Sequence, residues 1–227
     1  MAGSRISVIV PALNEQQCIG DTLASLQPLR AREHEVIVVD GGSLDETRRV
    51  ARPLVDAVID SPPGRARQMA VGAAQASHDV IWFVHADTLV PEDADVSILD
   101  ALSHPDKAWG RFNVRLSGDQ LLLRIVERMM NWRSCITGMC TGDQGIFVTR
   151  SVYDAIGGMP DQPLMEDLEL SKRLRRVGRP VCLTDRLRTS SRRWEQRGIL
   201  RTIVRMWALR AAYAFGVDAS RLDRWYG

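Results

Sequence analysis

Four short runs of β-branched and aromatic residues constrain this chain more than any other feature: Ile6-Ser-Val-Ile-Val10, Glu35-Val-Ile-Val-Val39, Val55-Asp-Ala-Val-Ile59 and Val80-Ile-Trp-Phe-Val84. Each ends at turn-forming or charged residues, and each reads as a buried strand. Between them, Asn14 to Leu26, Ser43 to Ala51 and Arg65 to Ala76 carry helical signals. Strand and helix alternating at this spacing predict an α/β fold with a mostly parallel central sheet flanked by helices. Ligands of such sheets gather beyond the carboxyl ends of the strands, where loops and helix N-termini converge.

Past Pro91 the pattern changes. A helix is predicted over Asp93 to Ser103, a strand over Trp109 to Leu116 and an amphipathic helix over Asp119 to Arg133. A Gly-rich segment, Thr137 to Gly145, precedes a strand at Ile146 to Thr149. Leu164 to Val177 reads as a helix with acids first and bases last, an order that complements the helix dipole, closed by Gly178. Gln196 to Phe215 forms a helical tail with arginines interleaved among apolar residues. At 227 residues the chain fits one elaborated domain, 1–195, with a basic C-terminal tail, 196–227, packed on it.

Composition narrows the class. No stretch of eighteen apolar residues occurs, so no membrane-spanning helix is expected. The first strand begins almost at once, leaving no room for a secretion signal, and the expected compartment is the cytoplasm. Cys18, Cys135, Cys140 and Cys182 show no C-x-x-C spacing, which predicts free thiols rather than zinc ligands or disulfides. The net charge of +2 is unevenly placed. From Leu164 onward there are 15 Lys and Arg against 7 Asp and Glu, a bias that favours an anionic partner.

Three clusters could carry chemistry. Asp40 ends the second strand beside Gly41 and Gly42, where a carboxylate can meet a base or ribose and the backbone can approach a ligand closely. Ser43 and Glu46 in the same run have the spacing of a capping box. His85 and Asp87, leaving the fourth strand on one side of the chain, form a candidate metal grip. Glu166 and Asp167 open a helix whose dipole favours their ionised forms, as a base taking a proton from a sugar hydroxyl requires.

Taken in order, Val8-Ile-Val-Pro11-Ala-Leu-Asn14-Glu15, Val38-Val-Asp40-Gly-Gly-Ser-Leu-Asp45-Glu-Thr47, His85-Ala-Asp87, Thr141-Gly-Asp143-Gln144, Met165-Glu-Asp167-Leu-Glu-Leu and Arg192-Arg193-Trp194 resemble the motifs of glycosyltransferase family 2, whose fold is GT-A. The wording of Gly64-Arg-Ala-Arg-Gln-Met69, Pro163-Leu-Met-Glu-Asp167 and Ser191-Arg-Arg-Trp-Glu195 is similar to a bacterial subgroup named after its association with radical-SAM and selenodomain proteins. The resemblance implies an inverting enzyme that moves a sugar from a nucleotide-diphosphate sugar, UDP-sugar favoured, to an acceptor hydroxyl, assisted by Mn²⁺ or Mg²⁺. It assigns donor binding to Pro11, Asn14, Glu15, Asp40, Gly41, Arg65, Gln68 and Asp87, and acceptor binding to Gly142, Asp143, Gln144, Arg193 and Trp194. Asp167 would be the catalytic base with Glu166 in support. Asp87 matches the last acid of the family's D-x-D metal motif, and His85 stands where its first acid would be. The Gln of the longer processive motif is missing before Arg193-Trp194, which argues against long polymerisation.

Two other classes were weighed. A sugar-phosphate nucleotidylyltransferase would carry a Gly-rich loop after the first strand, and Pro11-Ala-Leu-Asn-Glu15 is not one. A non-catalytic nucleotide-sugar or lipid-binding module would have no need of Asp40, Asp87 and Asp167 together. No nucleic-acid module appears, and the acidic N-terminal part would repel a phosphate backbone. The basic tail leaves open a lipid-linked acceptor, peripheral contact with the inner face of a membrane, and a homodimer.

Overall fold

The computed structural model describes residues 4–226, with the side chains of Arg193, Arg197 and Tyr226 outside the description. Among these residues the chain forms one eight-stranded sheet. Its strands are β1 (Ile6–Ala12), β2 (Glu35–Asp40), β3 (Ala57–Asp60), β4 (Val80–Phe83), β5 (Thr88–Leu89), β6 (Trp109–Leu116), β7 (Phe147–Thr149) and β8 (Val181–Thr189). Their spatial order is β3-β2-β1-β4-β7-β6-β8-β5. The first four strands are parallel, β7 runs against both β4 and β6, and β8 lies parallel to β6 and antiparallel to β5.

Helices cover both faces: α1 (Ile19–Ser25), α2 (Gln27–Ala31), α3 (Thr47–Ala51), α4 (Arg65–Gln75), α5 (Ala94–Ser103), α6 (Leu121–Thr137), α7 (Arg150–Ala155), α8 (Glu166–Leu174), α9 (Arg192–Arg197), α10 (Ile199–Ala214) and α11 (Ala219–Tyr226). Alternation along β1 shows why its run is apolar but for Ser7, whose buried hydroxyl donates to Glu35 Oε2. Val8 and Val10 face a core with Leu23, Leu26 and Leu29, while Ile9 faces the opposite core with Met69 and Ala73 of α4. A strand buried on both faces has no position for a polar side chain facing water.

Several expectations are corrected. The run Val181 to Thr189 forms β8 although Asp185, Arg186 and Arg188 interrupt its apolar pattern; these three are exposed while Leu187 and Thr189 are buried. The tail does not continue as one helix from Gln196, since Gly198 (φ 82°) separates α9 from α10. Ser43 and Glu46 form no capping box: the Ser43 hydroxyl accepts the Asn14 N–H at 2.9 Å, and Asp45 Oδ1 instead accepts the Thr47 N–H at 3.0 Å. Cys135 of α6 and Cys182 of β8, 47 positions apart, are joined in a disulfide with Cα atoms 5.9 Å apart. Spacing alone misses such a pair, because only the packing of α6 on the sheet brings it together. Cys18 and Cys140 are free, and burial pushes the Cys140 thiol up to about 12.

The C-terminal helices pack on the sheet domain at two places. Ile199 and Ile203 of α10 join Leu116, Leu123 and Val126, and Leu209 and Leu222 join Met165 and Leu168. The Tyr213 hydroxyl donates to Glu169 Oε2 at 2.9 Å and receives the Lys172 ammonium over its ring. These contacts bring α10 alongside the acids of α8.

Candidate active site

The loops beyond β1 and β2 are tied to each other atom by atom. Asn14, in left-handed backbone (φ 55°), accepts the Leu44 N–H at 2.9 Å. The Glu15 N–H donates to the Thr47 hydroxyl at 2.8 Å, and the Gln16 N–H to Asp45 at 3.2 Å. Asp40 is wholly buried; its Oδ2 accepts the N–H groups of Gly42 and Ser43 at 3.1 and 2.9 Å, and its Oδ1 is buried without a partner. Gln68 donates from one amide nitrogen to the carbonyls of Ala12 and Val39, both at 2.8 Å, clamping the ends of β1 and β2 together.

At the end of β4 the chain turns through His85 and Asp87. His85 Nδ1 lies 3.0 Å from Asp143 Oδ1, and its Nε2 is buried without a partner against Gly142. A Cβ at position 142 would sit 2.3 Å from that nitrogen, so only glycine lets the turn close on the imidazole. The Gly142 N–H in turn donates to Asp167 Oδ2 at 3.0 Å, while the Leu168 N–H donates to its Oδ1 at 2.8 Å. One turn therefore aligns the histidine and the acid at the start of α8. Met165 enters α8 in left-handed backbone (φ 63°), a strained conformation held by its burial among Leu168, Leu209 and Leu222.

The neighbouring acids differ sharply. Glu166 is buried and lies 3.3 Å from Arg65; burial first, and the Asp167 charge second, push its carboxyl above the usual range despite that cation. Asp167 opens instead onto a cavity of about 610 Å³. Also lining it are Pro11, Glu15, Arg65, Gln68, His85, Asp87, Gly142, Asp143 and Trp194. The Asp87 carboxylate makes no hydrogen bond or ion pair among the described residues. The segment after β8 closes over this end: the Ser190 N–H donates to the Asp87 carbonyl at 3.1 Å, and Arg192 lies 3.3 Å from Glu15.

Asp87 and Asp167 thus share one cleft, whereas Asn14, Asp40, Gly41 and Glu166 stand outside its lining. Gln144, expected toward the acceptor, is fully buried; it accepts the Thr141 N–H at 3.2 Å and donates to the Ser134 hydroxyl at 2.8 Å, bracing the Gly142 turn. The Arg193 side chain lies outside the described residues.

Residues 7–147 match the family model described as glycosyl transferase family 2. The chain belongs to glycosyl transferase family 2. Among curated members it is 27% identical over 201 residues to the probable glycosyltransferase YdaM of Bacillus subtilis, covering 77% of this chain and 47% of that one. The chain spans about half the length, or less, of the curated relatives it matches. In fold it is similar to glucosyl-3-phosphoglycerate synthase from Mycobacterium tuberculosis in complex with Mn²⁺, uridine diphosphate and glucosyl-3-phosphoglycerate, with TM-score 0.61 and 21% identity over 83% of this chain and 71% of that one. It is similar also to residues 1–349 of TarS from S. aureus, with TM-score 0.65 and 18% identity over 96% of this chain and 68% of that one. The expected GT-A fold is the fold observed.

For a family 2 chain, the residues that sequence reasoning missed lie on the helices. Leu122, Ile125, Met129, Trp132 and Arg133 of α6 and Met206, Trp207 and Arg210 of α10 complete the cavity lining. The amphipathic period of α6 was visible, but which wall it builds was not. Arg210 fell opposite Arg201 and Arg205 on the 3.6-residue period, a signal that it turns away from them. Burial holds the Arg133 guanidinium down at about 10 and Arg210 below its ordinary value, and the Arg210 charge adds to the depression at Arg133.

Proposed function

We propose that this chain transfers a sugar from a nucleoside-diphosphate sugar, a UDP-sugar in the first instance, to an acceptor hydroxyl with inversion at the anomeric carbon. The observation that carries the reading is the pairing of Asp167, its carboxylate held by two backbone N–H groups, with Asp87 across one cavity. Those hydrogen bonds fix the orientation of the carboxylate, and a carboxylate beside an acceptor hydroxyl can take its proton as that oxygen attacks. Such a base contributes typically ~10²- to 10⁴-fold. Alignment of both substrates in the cavity supplies a further part of the barrier.

A divalent cation fits at Asp87, a half-buried carboxylate without a partner among the described residues. No group of three or more His, Cys, Asp and Glu side chains gathers there among the described residues, so the donor's diphosphate oxygens would complete its shell. When bound, the cation would absorb charge on the departing diphosphate, worth several kcal/mol. His85, hydrogen-bonded to Asp143 on one side and sealed against Gly142 on the other, is assigned to the alignment of that turn rather than to the metal shell. Mn²⁺ and uridine diphosphate in the glucosyl-3-phosphoglycerate synthase complex, a neighbour in fold, support the choice of donor and ion.

The remaining residues divide between donor and acceptor. We assign Pro11, Glu15, Arg65 and Gln68 of the cavity lining to the donor, while Asp40, outside that lining, shapes the neighbouring loop by accepting the Gly42 and Ser43 N–H groups. Asn14 and Gly41 hold that loop in place. Asp143, Gly142 and Trp194 lie on the acceptor side, with the domain proper over 1–195 and the tail over 196–227 forming a wall of the cleft. Among the described residues no helix is long and apolar enough to cross a membrane. The deciding experiment is a donor screen with Mn²⁺ or Mg²⁺, reading nucleoside diphosphate released from UDP-glucose, UDP-GlcNAc and GDP-mannose. Release that is metal-dependent and suppressed in Asp167→Asn supports the reading; equal turnover in that variant removes Asp167 from it.

A further inference from the structure

The two arginines at the inner end of the cavity have no role in the reaction as derived so far. Neither Arg133 nor Arg210 makes a hydrogen bond or ion pair among the described residues, and Arg133 Nη2 and Arg210 Nε are buried without any partner. Buried cations are ordinarily paired, because desolvating an unpaired charge is costly. The charges of Asp167 and Asp143 act on Arg210, and that of Asp167 on Arg133, so both guanidiniums stand near the acid of α8 without contacting it. Two adjacent guanidiniums with free donors suit a phosphate, which accepts several charge-assisted hydrogen bonds at once.

From these arginines an apolar groove leads away. On α6, Leu122, Ile125, Met129 and Trp132 follow at helical spacing and all line the cavity. They are nonetheless 39, 46, 47 and 69% exposed. Trp207 of α10, also in the lining, is 58% exposed. At 1.5 Å per residue the stripe on α6 extends roughly 16 Å outward from Arg133. Leu122, Ile125 and Met129 offer a sugar no hydrogen bond, whereas an alkyl chain would bury against them.

We propose that the acceptor is a lipid carrying both a phosphate and the hydroxyl that Asp167 deprotonates, its phosphate held by Arg133 and Arg210 and its hydrocarbon chain laid in the groove between α6 and α10. The inference rests on the transferase reading but specifies the acceptor class. A second protein copy or a bare anion fits less well, because neither uses cationic floor and apolar walls together.

The test is calorimetric titration of the full chain with decyl phosphate, inorganic phosphate and the uncharged decyl maltoside, alongside uridine diphosphate with Mn²⁺. The expected result is decyl phosphate binding at least about tenfold tighter than either of the other two, as a charge-assisted contact added to chain burial would give. Arg133→Met and Arg210→Met should each lose about tenfold in decyl phosphate affinity. Their thermal midpoints should hold or rise, because an unpaired buried charge is removed. Decyl phosphate binding no tighter than inorganic phosphate, or no tighter than decyl maltoside, overturns the proposal. So does a lowered midpoint, which would make the arginines structural, or an equal loss of uridine diphosphate affinity, which would give them to the donor. Failure of uridine diphosphate to bind the unaltered chain would instead remove the transferase reading itself.

Discussion

The loops beyond β1 and β2 and the helices α6 and α10 meet at one cavity, and they are built on opposite principles. In the loops, Asp40 Oδ1 apart, polar side chains are spent on neighbouring backbone: Asn14 holds Leu44, Asp45 holds Gln16 and Thr47, and Gln68 holds both strand ends. On the helices, two guanidiniums lack partners among the described residues and a row of large apolar side chains is open to water. A preformed loop loses little entropy when a ligand arrives, while an unsatisfied wall gains most of its partners from the ligand. The difference teaches that one side is shaped by folding and the other is completed by its substrate.

This contrast can be broken at several points. The largest effect is expected at Asp167, which sits at the junction of the two walls. Asp167→Asn should lower transfer by at least ~10²-fold, read as sugar-dependent release of nucleoside diphosphate, with donor affinity held. Next, Asp87→Ala or chelation with EDTA should remove metal-dependent donor binding, costing several kcal/mol in titrations with uridine diphosphate; full affinity in EDTA would take the cation out of the site.

Gly142→Ala tests the turn between the walls. The added Cβ would lie 2.3 Å from His85 Nε2, against a buried ring. A cost of about 1–3 kcal/mol in urea unfolding is expected, with activity lost because the Asp167 anchor moves. On the loop side, Asp45→Ala should destabilise by about 1 kcal/mol, because the Gln16 and Thr47 N–H groups lose their acceptor. Burial acts to raise the Asp45 carboxyl, but hydrogen bonds from Thr47 and Gln16 outweigh it and hold it below the usual range. Its stabilising contribution is therefore present above the ordinary Asp range and lost as pH falls through the folded value. The stability difference between parent and Asp45→Ala should shrink in acid, and a pH-independent difference would remove the ionised hydrogen bonds from the argument.

The smallest and most pH-dependent effect is expected at Glu166. Its folded pKa is raised, chiefly by burial and then by Asp167, so the folded state binds more protons and stability falls as pH rises from the ordinary Glu value through the folded one. Glu166→Gln should thus gain stability relative to the parent at pH 8 compared with pH 4. A gain of the same size at both values would mean that the Arg65 contact, not the buried charge, controls this position.

Much of the donor side could be read in advance. The strand at Trp109 to Leu116 and the helix starting at Arg65 fall where their patterns place them, because apolar and polar side chains alternating from Phe112 to Leu116 and an Ala-rich amphipathic stretch each suit one local geometry. β8 escaped because an exposed side of a strand tolerates charge, and Asp185, Arg186 and Arg188 conceal its period. The Gly142 turn escaped as well, since nothing in Thr141-Gly-Asp-Gln144 says that Gln144 turns inward while Asp143 turns to His85.

Local pattern was enough to determine the alternating order of strands and helices, the family motifs and the acids at the strand and helix ends, because these follow from periodicity and neighbouring residues. Tertiary structure alone decided that Asp87 and Asp167 share a cavity whose lining leaves out Asp40, that Cys135 meets Cys182, and that Arg133 and Arg210 converge on that cavity without a counter-ion among the described residues. Each of these joins residues far apart in the chain. Their proximity depends on how helices α6, α8 and α10 pack on the sheet, and packing is a property of the whole fold rather than of any segment.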